Sequence, residues 1–488
     1  MGAARGVRRP SAGRSVTGGL AVRGSLWLGA VNLVSKSSQM VVTLVLAALL
    51  TEGELGLVAL AVALVNLGQV VQSIGVYDVI SRTEHDPRRM AGTVLTMSVG
   101  VGALLGVVLA AAAGPITALL GAPDAEPLVR LAALSLPFSA AGGVQMGLMH
   151  RDLDFRRRML PDAGSAVLGA VVTVVLALED FGAASLIVGM LCTAVAQPVL
   201  GALAGGGVRP SWHADVAAEA LRWISVVGPA AVVAALVINV DYLAIGHVLG
   251  PDAVGVYSLA YRIAWVPYIM VAVVLGAVAF PLCAKLVRAG QRHELAAVMG
   301  RFTRAVLVVT GGLYLVVALL GDRVVVLGAR WASAALPLVL LCGYGLGISV
   351  LHIWYQAVKA TGHAVLYLKL EAAHLALIVI ALVVATGHGV AAVAGAQLVV
   401  AWVMVPLTWW RLRALGVAPA VGGMAARVAA AALIGATPVV LLDRLGVFGP
   451  VDSLVGALAE GVVLVLAYGV GTLLTHRNAL DELRGGLR

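Results

Sequence analysis

The sequence predicts an all-α polytopic membrane protein of 14 transmembrane helices, arranged as two pseudo-symmetric six-helix lobes plus two extra C-terminal helices. Fourteen apolar stretches of about 18–28 residues run down the chain. A stretch of that length crosses a bilayer as a helix, whereas an outer-membrane strand needs only about 10 residues. Of the 33 Lys+Arg, 27 fall on tails and alternate connectors that share one side, four fall on the other side, and two lie inside apolar stretches. Basic loops resist translocation, so the rich side is expected to be the cytoplasm, with both termini in it. Only 12% of residues are charged and 61% are hydrophobic, where a soluble globular chain carries about 25% charged residues. The mean hydropathy is +1.01.

Residues 1–24 hold Arg5, Arg8, Arg9, Arg14 and Arg23 among Gly, Ser and Pro. They resemble a signal-peptide n-region, but the apolar segment that follows is too long and contains Lys36, so a basic cytoplasmic tail is expected. Helices 1 (25–50) and 2 (54–78) meet at the acidic turn Thr51-Glu52-Gly53, and SRTEHDPRR returns the chain to the cytoplasm. Helices 3 (91–113) and 4 (128–149) lead out to GAPDAEP and back to HRDLDFRRR. Helices 5 (161–178) and 6 (183–204) complete an N-lobe of 25–205. The stretch 206–222 reads as a cytoplasmic linker, with Asp215–Arg222 expected as an amphipathic helix in the interface. Helices 7 (223–249) and 8 (254–284) turn at GPDA; helices 9 (302–320), 10 (333–357), 11 (366–386) and 12 (390–410) complete a C-lobe of 223–410. Residues 411–475 add accessory helices 13 (427–442) and 14 (453–475), and 476–488 form a cytoplasmic tail.

An internal repeat supports the grouping. LLTEGELGLVALA (49–61) aligns with VLGPDAVGVYSLA (248–260) at an offset of 199, sharing Leu50/Leu249, Gly56/Gly255, Leu60/Leu259 and Ala61/Ala260. Each segment enters the second helix of its six. Six is even, so the two lobes keep the same orientation and are related by an axis along the membrane normal.

Polar residues inside the spans mark candidate sites. Helix 1 carries Asn32, Ser35, Lys36, Gln39 and Thr43 at spacings of three and four, which is one face. Lys36 lies about 16 Å into the helix, where a charge costs at least about 2.5–3.5 kcal/mol and faces protein or water. Helix 2 adds Asn66, Gln69, Gln72 and Ser73; such amides are interhelical glue as readily as ligands. Asp241 and Arg262 are equally far from the GPDA turn in adjacent antiparallel helices. They read either as a structural ion pair or as an anion-binding arginine with a titratable partner, a pair able to open as a gate. Tyr257, Tyr261, Trp265 and Tyr268 recur near Arg262 at helical spacing, as packing or as platforms for sugar rings. Helix 10 presents Ser349, His352 and Gln356 on one face. Lys369, Glu371 and His374 are expected at a solvated cytoplasmic mouth, and Glu460 is isolated in helix 14 with no assigned role.

Composition and motifs exclude other classes. The net charge of +9 sits in juxtamembrane loops, where topology and anionic lipid account for it, so no nucleic-acid partner is expected. Cys192, Cys283 and Cys342 lie in apolar segments without disulfide or metal spacing. There is no GxxxxGK[ST], GxSxG, HExxH or CxxC pattern, hence no expected cofactor, metal or catalytic residue.

LMHRDLDFRRRMLPD (148–162), LGPDAVGVYSLAYRIAWVP (249–267) and the 14-helix layout together resemble the multidrug/oligosaccharidyl-lipid/polysaccharide exporter superfamily, in its polysaccharide-transport (Wzx-type flippase) branch. The resemblance covers about 25–475. It implies two six-helix lobes in a V around a central cavity. Through that cavity a polyprenyl-diphosphate-linked oligosaccharide would pass to the outer leaflet of the plasma membrane by alternating access. Physical reading then assigns Lys36 and Arg262, one from each lobe, to the diphosphate. Asn32, Gln39, Asn66, Gln69, Tyr261, Trp265, His352 and Gln356 would meet the glycan. Asp241 would gate, or couple to H+ or Na+. The expected partners are this lipid-linked substrate and the bilayer, with a polymerase or glycosyltransferases left open, and the expected state is a monomer. The alternatives are a lipid II flippase, an ion-coupled drug antiporter, and a membrane-embedded glycosyltransferase or polymerase.

Overall fold

The computed structural model describes residues 42–74, 76, 79–80, 86–151 and 155–475. Among the described residues there is no strand, and 13 helices are long and apolar enough to cross a membrane. Of helix 1, residues 42–49 are described and helical (α1); the rest lies outside the described residues, so the count of 14 stands at 13 spans plus this segment. The N-terminal set continues with α2 (Glu52–Ser73), α3 (Pro87–Leu119), α4 (Pro123–Met149), α5 (Arg157–Leu178) and α6 (Ala184–Gly206). The C-terminal set is α7 (Ala214–Leu249), α8 (Pro251–Arg288), α9 (Arg292–Leu319), α10 (Ala335–Ala360), α11 (Ala364–Ala385) and α12 (Val390–Ala414). The pair α13 (Gly422–Arg444) and α14 (Leu454–Thr475) follows. Below, the basic end is the one bearing the arginine-rich connectors, and the distal end is the other.

The α1–α2 turn is fixed locally. The Thr51 hydroxyl accepts from the Glu54 backbone N–H (3.2 Å), and the Glu54 carboxylate accepts from that of Thr51 (2.9 Å), a reciprocal capping box that starts α2 abruptly. In α8, Pro267 removes a donor and the backbone widens into a π-segment over Tyr268–Val273, a common way for a membrane helix to absorb an internal proline.

The repeat seen in sequence is realised as a reciprocal helix crossing. α2 packs on α8 more extensively than on any other helix. A Cβ on Gly56 would stand 1.8 Å from the Pro251 carbonyl oxygen, and a Cβ on Gly255 would stand 1.8 Å from that of Glu52. Pro251 is 199 residues beyond Glu52, as Gly255 is beyond Gly56, so each helix presents the same patch to the other. Residue i meets j while j meets i, the signature of a two-fold relation. Leu60 against Gly246 and Ala47 in one cluster with Leu259 obey the same offset.

Two expectations are corrected here. The segment 215–222 is not a separate interfacial helix but the first turns of α7. Its Val216 and Ala220 are buried in one cluster with Met90, Val94 and Leu148 of the N-terminal set, and Arg89 pairs with Asp215 at 3.2 Å. Upstream, Thr96 donates to the Ser211 carbonyl (2.9 Å) and Ser211 N–H to that of Gly92. Protein surface covers its apolar stripe in place of lipid. Glu460 is also not isolated: Arg323, in the connector after α9, donates to its carboxylate at 2.9 Å and to Asp443 at 3.2 Å, and donates to the Pro450 carbonyl. Both side chains of the Arg323–Glu460 pair are about 6% exposed. A second anchor is Tyr468, whose hydroxyl donates to the Val308 carbonyl (2.7 Å) while its ring lies over Gly312. The accessory pair is thereby pinned to α9 at two depths. Removing one partner of a buried ion pair leaves an uncompensated charge and costs about 3–5 kcal/mol. Arg323→Ala is therefore expected to lower the thermal unfolding midpoint and to open the α13–α14 connector to protease, and an unchanged midpoint would refute this anchor.

Candidate functional site

Lys36, Asn32 and Gln39 lie outside the described residues. Asn66 and Gln69 are half-buried on α2. Gln72 departs from their stripe: it is buried and donates to the Ser139 hydroxyl at 2.7 Å. Six residues at about 100° each carry it some 120° around the helix from Asn66, into the α2–α4 contact, where an amide acts as glue.

The expected Asp241–Arg262 ion pair is not formed. Asp241 is fully buried and accepts from the Tyr257 hydroxyl (2.5 Å), the Gln397 amide (3.0 Å) and the Tyr242 backbone N–H (2.9 Å). Equal depth does not make equal azimuth. Tyr257 faces Asp241, and Arg262, five residues on, is turned about 140° away from Tyr257 around α8. Arg262 is half-buried, and the side chain it acts on electrostatically is Tyr242. Asp241 instead ties α7, α8 and α12 together, leaving the Gln397 carbonyl oxygen buried without a hydrogen bond.

The aromatic stripe of α8 faces inward. Tyr261 stacks on Trp265 (5.0 Å between centroids, 22°) and lies 6.4 Å from Tyr344 of α10. Trp265 also stacks on Tyr344 and packs on Tyr268. Tyr261 is thus buried among rings, while Trp265 is half-buried. His352 and Gln356 join this column. Tyr268 bonds His352 Nδ1 at 3.0 Å, and Gln356 bonds His352 Nε2 at 3.2 Å. The string begins at the π-segment, where the shifted backbone aims Tyr268 at α10. Gly276 makes room for it, since a Cβ there would stand 2.5 Å from His352 Nε2. The structure thus brings Asp241, Tyr261, Trp265, His352 and Gln356 into one interior column, with Arg262 on another face.

Glu371 and His374 do not form a solvated mouth. They are 7% and 2% exposed, because helix packing covers that face of α11; Lys369 is exposed.

Two distal arginines escaped notice in the sequence. Arg330 donates to the Ala47 and Ala48 carbonyls (3.2 and 2.7 Å), and the Trp331 indole donates to that of Ala47 (2.7 Å). These are the open carbonyls at the end of α1, which need partners. Arg323 is the other. A signal was available: both belong to the four basic residues that break the charge sorting.

The family pattern described as polysaccharide biosynthesis protein matches residues 45–336. The lipopolysaccharide biosynthesis protein WzxC of Escherichia coli (strain K12) is 25% identical over 67% of this chain and 68% of its own length. The succinoglycan biosynthesis transport protein ExoT of Rhizobium meliloti (strain 1021) is 26% identical over 59% of each chain. Among solved structures, a lipid II flippase MurJ in an inward closed conformation superposes with a TM-score of 0.77 at 12% identity, covering 94% of this chain and 100% of that one. An inward-facing multidrug resistance MATE family transporter gives 0.64 at 15%, over 80% and 99%. These two superpositions establish the fold. The match over residues 45–336, more than half of the chain, shows that the protein belongs to the polysaccharide biosynthesis protein family.

Proposed function

We propose that the protein flips a polyprenyl-diphosphate-linked oligosaccharide, a repeat unit of a cell-surface polysaccharide, from the cytoplasmic to the outer leaflet of the plasma membrane. The observation that carries this reading is the family match over 45–336, which spans the α2–α8 crossing and includes residues of both sets. In this reading the basic end faces the cytoplasm, as the charge sorting requires. The N-lobe (25–205) rocks against the C-lobe (223–410), joined through 206–222, whose residues from Ala214 on are the start of α7, and helices 13 and 14 (411–475) ride on the C-lobe. Lys36 and Arg262 hold the diphosphate. Amides and the exposed edge of Trp265 meet the glycan, and the lipid tail stays in the bilayer between lobes. The coupling ion is H+ or Na+, taken at Asp241, a buried carboxylate with no cationic side chain within ion-pair distance among the described residues. A buried charge without a partner is expensive, so such a carboxylate gains from a bound cation. The protein works as a monomer, and a polymerase or glycosyltransferase would reach it through the basic loops.

An arginine donates in a fork that matches phosphate oxygens. Arg262→Ala, and independently Lys36→Ala, are expected to lower flipping in proteoliposomes by at least about tenfold, which corresponds to 1.4 kcal/mol, with insertion and abundance unchanged. The readout is a fluorescent polyprenyl-diphosphate oligosaccharide quenched from the outside. Normal rates in both variants would discard the two-cation cleft. Flipping of lipid II but not of the oligosaccharide carrier would change the cargo.

A further inference from the structure

A second polar cluster lies near the basic end of α10–α12, away from Asp241. Glu371 and His374 are one turn apart on the same face of α11. Across from them, Tyr355 of α10 faces Thr408 of α12. Beyond each other neither hydroxyl has a hydrogen-bond partner, and His374 Nε2 has none among the described residues, although all three atoms are buried. Glu371, Tyr355 and Thr408 lie five to seven residues from the basic ends of their helices, about 8–10 Å deep. Three helices thus place polar groups at one level inside a hydrocarbon-bounded bundle. A buried polar atom without a partner is costly, so the Tyr355 and Thr408 hydroxyls at this level, with His374 about one turn deeper, call for an occupant. The carboxylate, two hydroxyls and an imidazole nitrogen supply the two to four partners that a buried water needs.

We propose that Glu371, hydrated through Tyr355, Thr408 and His374, is a proton-binding site reached from the basic end. The groups that face Glu371 decide between a proton and a metal cation. Tyr367 on its own helix lies against the carboxylate, and Lys359 of α10 acts on it directly. Tyr355 of α10 and Tyr268 of α8 feel its charge. Among the described residues, α7 and α12, the other helices packed on α11, bring no charged group to it. A fixed ammonium beside the carboxylate repels a metal ion but tolerates a neutral carboxylic acid. Lys359 is exposed, with its ammonium 5.3 Å from the centre of the Tyr367 ring, so the way in from the basic end runs past it. In the proton-bound state Glu371 carries the proton on a carboxylate oxygen and donates it to the bridging water. On release the proton leaves along that water towards Lys359, and the carboxylate is restored. The transport reading supplies only the purpose of the site, a proton exchanged with the cytoplasm; the binding itself does not depend on it.

Infrared difference spectroscopy of the full-length protein in lipid discs, titrated downward in pH, tests this directly. One carboxylic-acid C=O band is expected to grow as pH falls, to be lost in Glu371→Gln, and to persist in Asp241→Asn. Thr408→Val and Tyr355→Phe keep the charge and the shape but remove a hydroxyl, and each must shift the midpoint of that band. In proteoliposomes Glu371→Gln is expected to lose the dependence of flipping on the pH at the basic end. If Glu371→Gln shows the wild-type set of bands throughout the titration, the site is refuted. Unshifted midpoints in both hydroxyl variants would also refute it. Should the band behave as expected while wild-type protein flips no oligosaccharide carrier, the proton site stands and the transport reading falls.

Discussion

Leucine in place of Gly255 is expected to abolish flipping while the protein still inserts and folds helix by helix. The reason is distance. A Cβ on Gly255 would stand 1.8 Å from the Glu52 carbonyl oxygen and 2.7 Å from its carbon, and backbone cannot swing aside as a long side chain can. α2 and α8 would have to separate by several ångströms at the distal end, breaking the closure that alternating access requires. Gly56→Leu meets Pro251 in the same way and should do the same damage, because the crossing is two-fold. Small residues at a membrane helix crossing permit this approach, and nothing larger does. The check is a spin-label distance across the distal end, alongside flipping in proteoliposomes. Both variants should shift the distance distribution to longer values and lower the rate by more than about 100-fold, equivalent to about 2.8 kcal/mol at 1.4 kcal/mol per decade. Wild-type distances with wild-type rates would show that the crossing is not a gate. Arg330 and Trp331 give an independent handle, since they reach the end of α1 from the α9–α10 connector. Arg330→Ala removes hydrogen bonds without adding volume, so its effect should be a partial opening.

The crossing also shows what was legible in the chain. Gly56 and Gly255 aligned at an offset of 199 because a repeat writes the same local pattern twice, and the two copies turned out to face each other. Class and spans were equally readable, since hydropathy and charge sorting are imposed by the bilayer along the sequence itself. Azimuth was not. Depth alone put Asp241 beside Arg262, but the rotation of α8 about its axis is set by packing against α7 and α10, which no single helix records. The same limit hid Glu460 from Arg323, 137 residues apart, and left Glu371 and His374 solvent-facing in the sequence reading when the helices packed on α11 bury them. Lys36 and its stripe as far as Gln39 lie outside the described residues, so the cleft is tested through Arg262 and by function.

Replacing Asp241 should separate structure from coupling, depending on the substitute. Alanine leaves the Tyr257 hydroxyl and the Gln397 amide without an acceptor in a fully buried site. At about 1–3 kcal/mol per orphaned donor, Asp241→Ala should lose several kcal/mol and unfold markedly earlier on heating. Asparagine keeps the shape. Its carbonyl oxygen, placed where Asp241 Oδ2 stands, still accepts from both the Tyr257 hydroxyl and the Gln397 amide, and only the Tyr242 backbone N–H, an amide within α7, loses its side-chain acceptor. Asp241→Asn should therefore hold the thermal midpoint within a few degrees of wild type while removing the carboxylate charge. Flipping driven by an imposed H+ or Na+ gradient should then lose its dependence on that gradient, and only a slow gradient-independent rate should remain. Equal loss of stability in both variants would mean that the carboxylate is a structural tie alone. Full gradient dependence in the asparagine variant would move the coupling ion elsewhere, with Glu371 the next carboxylate to test.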